Sequence, residues 1–294
     1  MNKIFVGLII VFLISPLPVR ALTMGELLSA PAGMVAGVSD YALSAHSSVV
    51  MNQITGEVLV SQNAKASWVP ASLSKLVTAL VVLDTHPDFN TKCVVNADDE
   101  VGGARLYAIA NSKYRLGDLM SATLVASANN AANALADCTG LTRAEFVERM
   151  NEKATALGAK NTRFVDPSGI SEFATTTALD MANIANAAFS TQTVREIARQ
   201  QTVWFCSSSH TTKCHNLTNT NKLFGDPALE VIAGKTGYLD ESRYNFAASS
   251  KNSKGQYLIT VVLGNPTKED SFANTKTIAS IGFNKLATQL VATR

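Results

Sequence analysis

The sequence predicts an α+β fold in which an antiparallel sheet, built from both ends of the chain, carries a helical lobe inserted between them. Three observations carry this. Residues 48–63 read as two β-prone runs around a Thr55-Gly56 turn, residues 72–200 carry helical signals, and after about residue 200 the pattern turns β again. The two β blocks must meet, and a groove between the lobes is the natural place for a ligand.

Taken in order, residues 1–21 have the layout of a secretory signal. Lys3 is the positive start, Ile4 to Ile14 an apolar stretch of eleven residues, and Val19-Arg20-Ala21 a cleavage site. Eleven residues are too few to cross a bilayer, which takes roughly 20; an uncleaved anchor is the alternative. Residues 22–294 are then expected as one exported domain, with a helical lobe at about 72–200 and a sheet lobe at about 45–71 and 201–294. Ser48 to Ile54 and Glu57 to Gln62 form the first hairpin. Val69-Pro70-Ala71 breaks structure ahead of a helix from Leu73 to Leu83. Thr142-Arg143-Ala144-Glu145 is a capping box, Phe146, Met150 and Leu157 continue one face, and Gly158 is the stop. Thr177 to Asp180 repeats the capping pattern ahead of Ile184 and Ala188. Strands follow at Val231 to Lys235, Tyr244 to Ser250 and Tyr257 to Leu263. A last helix at about 273–291 carries Ile278, Ile281, Leu286 and Leu290; it lacks a basic face and is expected to pack on the sheet.

Apolar residues at 47% with 16% charged residues describe a globular chain. Without Lys3 and Arg20 the Lys+Arg count falls from 25 to 23, matching 23 Asp+Glu. A neutral chain with no basic stripe offers nothing to nucleic acid or anionic lipid. Four cysteines in an exported chain suggest two disulfides, with three connectivities open. Cys206 and Cys214 flank a turn-like Ser-Ser-Ser-His-Thr-Thr-Lys, where a hairpin staple is easy; that leaves Cys93 with Cys138. His210 and His215 match no common zinc spacing, so no metal and no cofactor is expected.

Three short strings carry chemistry. In Ser72-Leu73-Ser74-Lys75 the serine sits where a helix begins, among free amides that favour developing negative charge. Lys75, three residues on, shares its face and can reach the hydroxyl. To act as a base its amine must be neutral near pH 7. The ordinary lysine pKa is about 10.4, so burial and a second cation must disfavour the ammonium by roughly 4 kcal/mol. Lys235 is the candidate cation. Ser-x-Asn occurs three times; Ser61 and Ser250 stand at strand ends and are expected to face solvent, whereas Ser127 stands between two helices. There Ser127 can relay a proton to a leaving amine, and Asn129 can hold a substrate amide. Lys235-Thr236-Gly237 follows an apolar run and reads as an edge strand that pairs with an extended peptide. Gly237 permits close approach, and the amides of Tyr238 and Ser72 can form an oxyanion hole.

With these strings in this order, the chain resembles the low-molecular-weight penicillin-binding proteins, the D-alanyl-D-alanine carboxypeptidase and endopeptidase family. Asn161 to Ile170, Thr218-Asn219-Thr220-Asn221 and Gly234 to Tyr238 extend the similarity from about residue 45 to the C-terminus. The resemblance implies a serine β-lactamase/DD-peptidase-like fold. It implies an acyl-enzyme on Ser72, with peptidoglycan stem peptides as substrate and β-lactams as covalent inhibitors; no obligate protein partner is expected. It implies a place in the periplasm or cell-envelope space, with at most a loose membrane association. Many carboxypeptidase members add a β-rich module and an anchor, whereas this sequence stops at Arg294 with the catalytic domain just complete. Such members also place an arginine after the last strand to hold the terminal carboxylate. Here the stretch reads Lys268-Glu269-Asp270-Ser271, with Ser271 near that place and Lys268 as the substitute. Both departures lean towards the endopeptidase branch. A β-lactamase is the first alternative; its deacylating glutamate would have to come from Glu145, Glu148 or Glu152, or be replaced by Asp166. A non-catalytic peptidoglycan-binding or β-lactam-sensing module is the second.

Overall fold

Strands from opposite ends of the chain lie side by side. The computed structural model describes residues 43–292, so the export signal expected at residues 1–21 lies outside the described residues. β1 (Ser47–Asn52) pairs antiparallel with β2 (Val58–Gln62) on one side and with β9 (Tyr257–Asn265) on the other. β8 (Arg243–Lys251) and β7 (Glu230–Leu239) complete a five-stranded sheet of order β2-β1-β9-β8-β7, leaving β7 on an edge.

The central strands are apolar at consecutive positions because both faces are covered. Val49 and Val261 join the core under the helical lobe, while their neighbours Val50 and Val262 join a second core on the opposite face. That second core is closed by α7 (Lys268–Ala292) through Phe272, Ile278 and Leu286, the packing expected of the last helix. Each such apolar side chain contributes roughly 1.5–3 kcal/mol on burial.

Between β2 and β7 run α1 (Lys75–Asp84), α2 (Leu116–Val125), α3 (Asn129–Cys138), α4 (Arg143–Ala156), α5 (Ala178–Ser190) and α6 (Gln192–Ala198). The capping box on Thr142 is formed, and the Thr177 hydroxyl accepts from the Asp180 N–H. The expected helical block is not wholly helical. β3 (Lys92–Val95) and β4 (Ser112–Arg115) form a two-stranded ribbon within it. Four-residue strands are too short to carry a readable period. β5 (Thr202–Cys206) and β6 (Cys214–Thr218) form the expected hairpin. Disulfides join Cys206 to Cys214 and Cys93 to Cys138. A second correction concerns Ser250, which is buried in β8, since that strand runs between β7 and β9 and Ser250 stands opposite Val231 and Leu258.

Candidate active site

The three strings meet in one cavity of about 460 Å³, although they lie on a turn, an inter-helix loop and a strand. Ala71–Ser74 forms a 3₁₀ turn that runs directly into α1. Ala71 takes φ +50°, a left-handed conformation that an L side chain resists, and it sets Ser72 at the cavity wall. Lys75, one turn further, is fully buried. Its Nζ lies 2.8 Å from Ser72 Oγ, 2.7 Å from Asn129 Oδ1 and 2.5 Å from the Ser168 carbonyl oxygen.

Ser127 occupies the tight link between α2 and α3, again at positive φ (+63°), which projects its hydroxyl across the cavity. Lys235, also fully buried, donates from Nζ to Ser127 Oγ (2.7 Å) and to the Thr236 carbonyl (2.9 Å). Thr236 in turn donates to Thr220 Oγ1 at 2.6 Å, which brings the Thr218 to Asn221 string to the same wall.

Gly237 is where β7 passes the Ser72 turn. A Cβ added there would stand 3.0 Å from the Pro70 carbonyl oxygen and 3.3 Å from the Ser72 nitrogen, so glycine sets the approach. Leu239 turns its N–H inward to Ser242 Oγ (2.9 Å). Alternation along the strand then leaves the Tyr238 N–H on the free edge, beside the Ser72 turn. Two backbone donors thus border the place where a carbonyl oxygen can sit.

Burial lowers the Lys75 amine from its ordinary 10.5 to about 7, and the nearby Asp166 charge partly opposes this. Of the two expected causes, burial is the one that acts: desolvation makes the Lys75 ammonium a stronger acid, and the Lys235 charge is not among the causes. Lys235 itself is held well below its ordinary value, first by burial and then by the Lys75 charge. Two cations cannot sit easily in one dry wall, and such a pair favours one proton fewer.

Asn129, expected to hold a substrate amide, also has partners within the protein. Its Oδ1 serves Lys75 and its Nδ2 donates to the Gly102 carbonyl (2.8 Å), so the side chain is built into the wall before any substrate amide arrives. Ser168, which the motifs did not single out, acts through its carbonyl; a backbone oxygen has no residue signature. The Asn161 to Ile170 string was its only marker. Of the four carboxylates weighed as deacylating bases, none lines the cavity. Glu145 caps α4, Glu152 pairs with Arg149, and Asp166 accepts the backbone N–H groups of its own loop. Lys268 is the cationic side chain on the cavity's lining; Ser271 also lines it, buried, with its hydroxyl on the Lys268 carbonyl. His215, half of the histidine pair considered for a metal, lies with Nε2 2.9 Å from the Tyr114 hydroxyl.

The arrangement can convert a serine hydroxyl into a nucleophile, receive an oxyanion and return a proton to a leaving group. Comparison with known proteins agrees with that chemistry. Residues 34–267 match the model of the D-alanyl-D-alanine carboxypeptidase family. A D-alanyl-D-alanine endopeptidase of Haemophilus influenzae is 30% identical over 237 residues, covering 79% of this chain and 80% of the relative. A D-alanyl-D-alanine carboxypeptidase of Bacillus subtilis is 28% identical over 261 residues, 85% of this chain but 65% of the relative. Penicillin-binding protein D2 from Listeria monocytogenes, solved with ampicillin bound, superposes with a TM-score of 0.73 at 32% identity. That match covers 84% of this chain and 100% of the solved one.

Proposed function

The chain belongs to the D-alanyl-D-alanine carboxypeptidase family, and we propose that it hydrolyses D-Ala-D-Ala-type bonds of peptidoglycan stem peptides through an ester on Ser72. The observation that carries this reading is the 2.8 Å contact between Ser72 Oγ and a buried lysine amine lowered to about 7. A neutral Lys75 accepts the Ser72 proton as the oxygen attacks the carbonyl carbon. The oxyanion that forms lies between the N–H groups of Ser72 and Tyr238. Ser127, held by Lys235, relays that proton from the Lys75 ammonium to the departing amine, which leaves Lys75 neutral again. Water then attacks the ester, with Lys75 again taking the proton. A β-lactam acylates the same oxygen; its ring opens and the leaving nitrogen stays tethered.

For substrate preference, we favour cleavage of cross-links between D-alanine and a diamino acid. The supporting observations are the buried Ser271 near the place where the resemblance expects a carboxylate-holding arginine, and the 30% identity to an endopeptidase relative. Lys268 on the cavity lining is the observation favouring release of a terminal D-alanine. Action outside the cytoplasm, in the cell-envelope space, follows from the substrate and from residues 1–21. Among the described residues no helix is long and apolar enough to cross a membrane.

The test is intact-mass measurement after penicillin treatment, with peptide mapping. One adduct on Ser72, absent from Ser72→Ala, is the expected result; an adduct elsewhere or none removes the nucleophile assignment. Pentapeptide monomers and cross-linked dimers, offered together, then separate the two substrate preferences.

A further inference from the structure

A neutral amine has two hydrogens and one lone pair, and Lys75 Nζ has three neighbours. Two of them, Asn129 Oδ1 and the Ser168 carbonyl, can only accept. They take both hydrogens and leave the lone pair facing Ser72 Oγ, the one neighbour with a proton to give. The aim of the base thus depends on where the Ser168 carbonyl points.

That carbonyl is placed by Asp166. The carboxylate's Oδ1 accepts from the N–H groups of Ser168 (2.8 Å), Gly169 (2.7 Å) and Ile170 (3.3 Å) and from the Ser168 hydroxyl (2.6 Å). Its Oδ2 accepts from Ser171 N–H (3.1 Å). Pro167 has no N–H to offer, and its carbonyl accepts from Thr78 Oγ1 on α1 (2.6 Å). Gly169, at φ +72°, lies so close to the Ser72 turn that an added Cβ would stand 2.1 Å from the Ala71 carbonyl oxygen. The loop is gathered on one carboxylate and pressed against both ends of the Ser72–Lys75 turn.

We infer that Asp166 is the positioning residue of the catalytic base, fixing the Ser168 carbonyl so that the Lys75 lone pair is held on Ser72. The inference rests on the nucleophile and base assignments above. Asp166 also acts through space. Asp166 on its loop and Lys235 on β7 are the charged groups coupled to Lys75, with Ser72 and Asn129 as the polar side chains bonded to it. The Asp166 charge favours the ammonium form and so raises the pH at which the base becomes free.

The experiment follows acylation of Ser72 by a fluorescent penicillin from about pH 5 to pH 10 in the wild type, Asp166→Asn and Asp166→Ala, each with a melting curve. Asparagine keeps the size and one acceptor but not the charge. The acid limb of its profile is expected to move to lower pH, with a plateau rate down roughly tenfold. Alanine is expected to lose about 100-fold in rate, in line with misaligned reacting groups, with the apparent penicillin affinity little changed. Wild-type plateau and limb in both variants would overturn the inference. So would a fall in rate that only follows a fall in melting temperature with the limb unmoved, or failure of both variants to fold, either of which makes Asp166 a scaffold residue. Absence of label on wild-type Ser72 would instead overturn the nucleophile assignment itself.

Discussion

The inner wall of the cavity and its outer mouth follow opposite rules. On the wall, Lys75 and Lys235 are both 0% exposed, and each amine is matched to protein partners. At the mouth, Tyr238 is 45% exposed, Asp240 and Glu241 face solvent, and Lys268 is half-buried. A charge in the dry wall changes its acidity, while a charge at the mouth is screened and moves its energy little. On the proposed mechanism, reactivity is set deep and substrate preference at the surface. The two can change separately.

The contrast sharpens into measurements. Lys75→Ala should lower penicillin acylation by roughly 10²–10⁴-fold, the range of a lost general base. In the wild type the rate should rise with pH through about 7 and then level, because only the amine without its proton can accept from Ser72. A pH-independent rate would place the base elsewhere. Gly237→Ala comes next, since its Cβ would press on Pro70 and Ser72. Rapid-mixing kinetics should show a loss of about 10²-fold if the two-amide oxyanion site is real, with a melting temperature little changed. At the mouth, Lys268→Ala should raise KM for pentapeptide release by less than about tenfold, as expected for an exposed ion pair worth roughly 1 kcal/mol. Cross-linked dimers should be unaffected; equal losses on both substrates would erase the proposed link to a terminal carboxylate. The smallest effect on rate is expected from the disulfides. The separations of 45 and 8 residues give about 4 kcal/mol for Cys93–Cys138 and about 2.5 kcal/mol for Cys206–Cys214 in the chain-entropy model. Double serine variants should melt in that order while acylating normally.

The wall was legible because its side chains are rare types at constrained spacing. Ser72 and Lys75 share a turn, Lys235 ends an apolar run, and Ser127 interrupts two helices. Helix caps at Thr142 and Thr177 were legible for the same reason, since each is a local bond between near neighbours. What escaped was non-local or made of backbone. The β3–β4 ribbon needs a partner strand to exist, and the Ser168 carbonyl is chemically identical to any other. The acidity of Lys75 follows from how completely the fold buries it, which no spacing rule reports. Burial and Lys235 were both expected as causes; the fold shows that burial carries the shift.

β1 lies inside the sheet, with Val50 opposite Thr260 across most of the chain's length. Closing so long a loop carries an entropic penalty that only the finished sheet offsets, so folding should be slow for a molecule with this much local helix. The helices can form early. The paired lysines cannot lose water until β7 docks on a sheet that already holds both chain ends. Refolding should therefore restore helical circular dichroism before it restores penicillin labelling, and that lag would time the arrival of the last distant contact.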